Sequence, residues 1–585
     1  MNVATAGLFG LMLTGCKDFF EIEPRDFVAE DNFWNEKADI DQMVMGCYTA
    51  MQSDEFIRRC IVWGDLRADN IFPNSTMNTN DDLYHALRED LLYTNVYTNW
   101  SKFYHVINKC NVIIDKAPQV SAVDPAYNES AVKATIAECT ALRSLCYFYL
   151  IRAFEEVPFT RKAVSEESDV TSDPASSFDY VLGQIIADLE AVKNDAIVHY
   201  ASSGSDDYLQ RYNSNCNRIT RTAINAMLTE MYLWKGDYDN AIACGDAVLA
   251  QMRSDYNDAQ ASNRLSSAYT LRMQSAPFGQ TAPLYINSMA SPENSAEAIF
   301  GQGNSFESIL ELSYNSSSKD DNTVVKSTAL ASLYGAPDNA GKVIGSLVVN
   351  SSVVKEIGPS SPSFNRFQNR YDTRYYTTFQ PSEDYSAGSI RKFITSKYNL
   401  TASSEANVEF TSNTDRNFTV GANPNRNWIF YRLTDVMLLE AEALALKATD
   451  DTSAENIALI QKGFDLVYLV NSRAMINDAG KLTTTNAAAS SHVALEKLVR
   501  EERNRELMFE GKRWFDLLRY ARRDGKPDVI KETVPIKVSV SGGQQSFSSM
   551  DALYWPYNKS ELDANTNLKQ KSIYASGSTE SYQAN

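Results

Sequence analysis

Residues 223–248 constrain the fold of this chain more than any other stretch. Ala223, Ile224, Met227, Leu228, Met231 and Tyr232 recur every three or four residues, Gly236-Asp237-Tyr238 interrupts the run, and Ala241, Ile242 and Val248 resume it. Each run places its apolar side chains on one face of a helix. Gly breaks the chain between them, and small residues let the two antiparallel helices approach. A single hairpin cannot bury the face it presents, so further hairpins must stack on it.

The spacing closely follows a tetratricopeptide unit, and the rest of the chain supplies partners for it. A first helix is predicted from Asp31 to Met51, with Ile40, Met43, Val44, Cys47, Tyr48 and Met51 on its apolar face, and a second from Val96 to Ala117, stopped by Pro118. A third runs from Ala131 to Phe154, apolar on most sides and therefore buried; a fourth follows the Ser176-Ser177 cap, carrying Phe178, Val181, Leu182, Ile185 and Leu189. Leu433, Val436, Met437, Leu439 and Leu444, then Ile457, Ile460, Phe464, Val467 and Val470, give a last pair. Residues 251–426 are rich in Ser, Asn, Gly and Tyr without a sustained period, which predicts turns, loops and short strands. His492 to Tyr520 reads as one long amphipathic helix, and Lys531 to Asn585 as short strand and loop segments. The expected fold is mostly α: four tetratricopeptide-like helix pairs with an irregular, loop-rich C-terminal half containing short strands. The expected divisions are 1–15, a signal segment; 16–250, three helix pairs; and 251–585, the irregular part with the fourth pair and the C-terminal helix.

The signal segment rests on Ala6 to Leu13, an apolar run too short to span a bilayer, which ends at Leu13-Thr14-Gly15-Cys16. Small residues before Cys16 resemble a bacterial lipobox, which implies cleavage there and acylation of Cys16. Lys17-Asp18 after it resembles the surface-export signal of Bacteroidota lipoproteins. The other cysteines, Cys47, Cys60, Cys110, Cys139, Cys146, Cys216 and Cys244, are odd in number and contain no CxxC pair, so they read as core thiols. A formal net charge of −19 repels a phosphate backbone, which argues against nucleic acid as a partner.

Five segments, in order, resemble the SusD/RagB outer-membrane lipoproteins. Glu502 to Arg519, containing Glu510-Gly511-Lys512-Arg513-Trp514-Phe515-Asp516, is similar to that family's C-terminal motif, with Lys512 where His is frequent. Phe33-Trp34-Asn35, Arg152-Ala153-Phe154 with Val157-Pro158, Tyr431 to Ala443, and Glu561 to Gln570 agree as well. The resemblance implies a lipid-anchored protein on the extracellular face of the outer membrane. It implies a partner, a TonB-dependent transporter of the SusC type, to which the protein hands a captured oligosaccharide. A peptide ligand, a structural lid without a pocket, and a glycoside hydrolase on a helical scaffold are the alternatives.

Glycan capture needs aromatic faces for the C–H side of a sugar ring and amide, carboxylate and guanidinium groups for its hydroxyls, carried on loops over a rigid scaffold. Two regions offer both. One is the polar segment Trp63 to Asn80, expected as a loop, with Arg67, Asp69, Asn70 and Asn74 near Trp63. The other is the irregular insert, with Phe278, Tyr285 and Asn287, then Tyr371, Tyr375, Tyr376 and Tyr385. Asp372 and Arg374 resemble a recurrent family pair and read as structural. The charged run Arg500 to Lys512 reads as a solvated helix face, with Glu501 and Arg505 an (i, i+4) pair. Enzyme motifs are missing: His85, His105, His199 and His492 show no HExxH spacing, no GxSxG elbow occurs, and Gly335 to Lys342 has one residue too many for a phosphate loop. No cofactor is expected, and calcium is left open.

Overall fold

The computed structural model describes residues 33–165, 169, 171–200, 215–261, 271–287, 294–301, 303–314, 328–337, 343–350, 353, 367, 371–381, 388–393, 400–404, 407–410, 426–476, 478–537 and 547–575. Its helices of eight residues or more are numbered α1 (Lys37–Met51), α2 (Asp54–Ile61), α3 (Ser101–Val123), α4 (Glu129–Phe154), α5 (Phe178–Val192), α6 (Arg221–Lys235), α7 (Tyr238–Ala261), α8 (Leu433–Lys447), α9 (Ala454–Ala474), α10 (His492–Glu506) and α11 (Arg513–Asp524).

Four antiparallel pairs stack in series: α1 on α3, α4 on α5, α6 on α7 and α8 on α9, with α4 also packed on α3, α6 on α5 and α8 on α7. Local chemistry sets the ends of these helices. Asn128, Ser177, Thr220 and Ser453 each accept a backbone N–H of the first turn, satisfying a donor the helix itself cannot. Gly236 ends α6 at φ 78°, the left-handed position a hairpin between α6 and α7 requires. The Ser177 cap starts α5 where the sequence places it, while α1 and α3 begin six and five residues later than their apolar periods suggest. Pro118 does not stop α3: it forfeits one helical hydrogen bond, yet the helix runs on to Val123 because Ala117 and Val120 remain buried.

The irregular half wraps this stack rather than hanging from it. One hydrophobic cluster extends from Ile40 to Leu568, so both halves share a core. Strand Ser308–Leu312 pairs antiparallel with Trp428–Arg432, which leads into α8. Ile71–Pro73 joins Leu347–Val349, Gly388–Ile390 and Phe379–Pro381 in a four-stranded sheet, knitting an early segment into the insert. Beyond Asp524 the described residues contain short helices and no strand, where the sequence of Lys531 to Asn585 predicts short strands as well as loops.

Two sequence expectations fail around the same contact. Trp63 to Asn70 is not an exposed loop: Val62–Leu66 continues α2 as a wide helical turn, and Trp63 is fully buried, its indole N–H donating to the Tyr97 carbonyl at 2.8 Å. The predicted long C-terminal helix is broken between α10 and α11 by Phe509 (φ 68°) and Gly511 (φ 69°). The physical reason is shared. Asp65 accepts the backbone N–H groups of Gly511 (2.7 Å) and Arg513 (3.2 Å), so the early turn and the late break stabilise one another across the sequence. Burial still pushes the Asp65 carboxyl up to about 6, with those two N–H groups opposing it.

Candidate functional site

The charged run is buried from Glu502 to Lys512, not solvated; Glu501 alone in the run is exposed. Glu506, at the end of α10, accepts Arg432 (2.6 Å), Arg374 (2.9 Å), Thr434 (3.1 Å) and Arg473. Around it Glu510 binds Arg432 (2.7 Å) and Lys392 (2.5 Å), Glu502 binds Arg374 and Arg505 (2.8 Å each), Glu307 binds Arg473 (2.7 Å), and Asp372 clamps Arg374 (2.8 Å). Arg505 binds Glu502 more closely than Glu501, with which it keeps the expected (i, i+4) pair at 4.0 Å. Amphipathic spacing misled because Glu502, Arg503, Glu506, Glu510, Lys512 and Arg513 find partners in distant segments, which no local pattern can register. Five cations (Arg374, Lys392, Arg432, Arg473, Arg505) face five carboxylates (Glu307, Asp372, Glu502, Glu506, Glu510), so the cluster is charge-balanced. Burial alone would raise the Glu506 carboxyl, but Arg473, Arg432 and Arg374 hold it well below the usual carboxylate range. Burial lowers Lys392 to about 8, against the pull of Glu510.

A crevice opens onto this cluster. Asn287, Ser295, Thr373 and Thr377 supply amide and hydroxyl groups, Phe300 supplies a ring, and Arg374, Arg473 and Lys392 form part of the floor. The Asn287 amide donates to Thr373 Oγ1 (2.7 Å) and accepts from Ser295 Oγ (2.9 Å), fixing the rim. The space measures about 370 Å³ including its open mouth. Ser295, Thr373, Thr377, Phe300 and Arg473 are each less than a tenth exposed, so it admits the edge of a ligand, such as a hydroxyl group, and not a whole ring.

The structure brings some sequence candidates here and removes others. Asn287 lines the crevice, and the Asp372–Arg374 pair braces it. Arg67, Asp69 and Asn70 are buried. Arg67 binds Glu89 (2.6 Å) and lies 4.4 Å over the Trp514 ring, Asp69 binds Arg513 (2.8 Å), and Asn70 donates to Asn504 (2.7 Å). Tyr285 is buried too, its hydroxyl accepting the Phe306 N–H at 3.1 Å. These four are corrected from surface to interior: Asp69 and Asn70 tie the segment after α2 to α10 and α11, Arg67 ties it to Glu89 and the Leu553 carbonyl, and Tyr285 is used within the insert. Asn74 caps its own turn, and Tyr375 packs with Phe367 and Phe379. Cys16, Tyr385 and the Tyr376 side chain lie outside the described residues.

Phe278 stays exposed at 38%, at the tip of the hairpin Leu271–Ser275/Thr281–Tyr285. Asp465 of α9 accepts the N–H groups of Phe278 and Gln280 at 2.9 Å, and Gly279 takes φ 109° to make the turn. Phe278 and Tyr180 are the exposed aromatic side chains among the described residues. Since Asp465 and Arg473 lie eight residues apart on α9, the tip stands ~12 Å along that helix from the crevice. Sequence reasoning missed Ser295, Phe300, Thr373, Thr377, Lys392 and Arg473. The legible clue was a cluster of hydroxyls and cations in a segment without a helical period.

Among the described residues, no group of three or more His, Cys, Asp or Glu is arranged to hold a metal, and no helix is long and apolar enough to cross a membrane. A stiff helical stack with irregular segments folded back on it defines a scaffold for presenting a recognition surface. The comparisons agree with that class. The model of the SusD family matches residues 306–574, and a model described as starch-binding associating with outer membrane matches residues 18–233. SusD-like protein P38 of Formosa agariphila is 24% identical, with 96% of each chain covered. A SusD superfamily protein from Bacteroides thetaiotaomicron superposes with a TM-score of 0.61 at 19% identity, covering 92% of this chain and 99% of that one. A laminarin-binding SusD-like protein gives a TM-score of 0.58 at 18% identity, covering 92% and 100%. This chain belongs to the SusD/RagB family.

Proposed function

We propose that the protein captures an oligosaccharide at the outer face of the outer membrane, where acylated Cys16 anchors it, and passes it unchanged to a SusC-like TonB-dependent transporter. The observation that carries the ligand class is the charge-balanced crevice. It presents oriented hydroxyl, amide and guanidinium hydrogen-bonding groups whose cations are matched by the carboxylates of the cluster behind them, which suits a polyhydroxyl ligand better than an ion. A ligand inserting one polar group at the crevice mouth and extending along α9 would meet the exposed Phe278 ring with a later sugar unit. Family membership and the laminarin-binding neighbour support the same reading.

Titration of the full chain with oligosaccharides, laminarin fragments first, and with peptides tests this. Binding to at least one glycan is expected, with Thr377→Ala and Phe278→Ala each weakening it about tenfold, the worth of one hydrogen bond or one ring contact. Exclusive binding of peptides, or release of a cleaved product, would contradict it.

A further inference from the structure

Three thiols from three helices meet in the core between α1, α3 and α4. Cys47 of α1 and Cys110 of α3 are fully buried with their Sγ atoms 3.9 Å apart. Cys139 of α4 lies against Cys110 as well. A disulfide needs a sulfur separation of about 2.05 Å, so joining Cys47 to Cys110 asks the two sulfurs to close by roughly 2 Å. Helices α1 and α3 already pack side by side.

We infer that Cys47 and Cys110 form a disulfide that fastens α1 to α3 when the chain folds outside the cytoplasm, in the location proposed above. The oxidant is a small-molecule or protein disulfide. The thiolate of one cysteine attacks it and releases one thiol. The second cysteine then attacks the mixed disulfide and releases the other, so two protein thiols lose two electrons and two protons and the donor disulfide gains them. Contact with Cys110 and burial push the Cys47 thiol up, and burial pushes Cys110 up, so both stay protonated once the core has closed. The exchange therefore belongs to folding, before these helices seal. Its effect is large in kind, because the bond closes a loop between positions 63 residues apart.

The test is to refold the reduced full chain in a mixture of oxidised and reduced glutathione, alkylate free thiols after unfolding, and map the peptides. Recovery of the Cys47 and Cys110 peptides as one linked species, with a Tm above that of the chain refolded under reductant, is expected. Recovery of both as alkylated thiols, or of Cys110 linked to Cys139, would overturn the inference. The mapping uses the unaltered chain, so no variant has to fold. Since the buffer supplies the oxidant, the result is separate from the location, which cell fractionation tests by itself; a bond missing from membrane-derived protein would overturn the inference and leave the location standing.

Discussion

Glu506→Gln is expected to cost about 3–5 kcal/mol of folding stability, because it keeps the shape of the side chain and removes the charge that Arg374, Arg432 and Arg473 share. All of these groups are nearly inaccessible to solvent, so water cannot replace the lost partner. The comparison is Glu501→Gln, on the exposed side of α10, expected within about 0.5 kcal/mol of the parent. Denaturant midpoints of the three proteins measure this, and equal midpoints would show the cluster to be energetically idle. Acid should act in the same direction. Folded-state pKa values are depressed at Glu502, Glu506 and Glu510, and at Asp516 from 3.8 to about 2. Their stabilisation is complete above the unfolded values of 4.5 and 3.8, and it drains away as pH falls through the folded ones. Tm of the parent should therefore drop steeply below about pH 4.5, and less steeply in Glu506→Gln, which has already lost part of that term.

Gly64→Ala should be at least as damaging. A Cβ at Gly64 would stand 2.0 Å from the carbonyl oxygen of Gly511, and backbone cannot swing aside as a side chain does. The Gly511 turn is itself packed closely: a Cβ there would stand 2.9 Å from the Trp428 ring and 3.0 Å from the Cys60 carbonyl. The expected loss is about 3 kcal/mol or more, seen as a large fall in Tm or in soluble yield. Gly183→Ala is the matched control: nothing lies within 4 Å of its added Cβ on α5, and Ala there should be neutral or gain up to about 1 kcal/mol. A mild effect at Gly64 would mean that the turn after α2 and the break before α11 do not seat on each other as described.

These two predictions mark where the sequence was legible and where it was not. The hairpins could be read because their information is local: the period of α6 and α7, Gly236 between them, and capping groups such as Ser177 all act within a few residues. Phe278 on a loop could be read for the same reason. The burial of Arg67, Asp69 and Asn70 could not, because each is satisfied by a residue far along the chain, namely Leu553, Arg513 and Asn504. Polar composition signals exposure only when no distant partner exists. The charged end of α10 misled in the same way, and with it the crevice that the cluster floors. Asn287 was found; Thr377, Lys392 and Arg473 needed the tertiary fold.

Hydrogen exchange of the full chain with and without saturating laminarin fragments, or whichever glycan binds in titration, tests the central claim most directly. The account predicts added protection around Asn287, Ser295 to Phe300, Thr373 to Thr378 and Phe278, with the paired helices unchanged. Protection confined to α1–α5, with the crevice and the Phe278 hairpin unaffected, would contradict it.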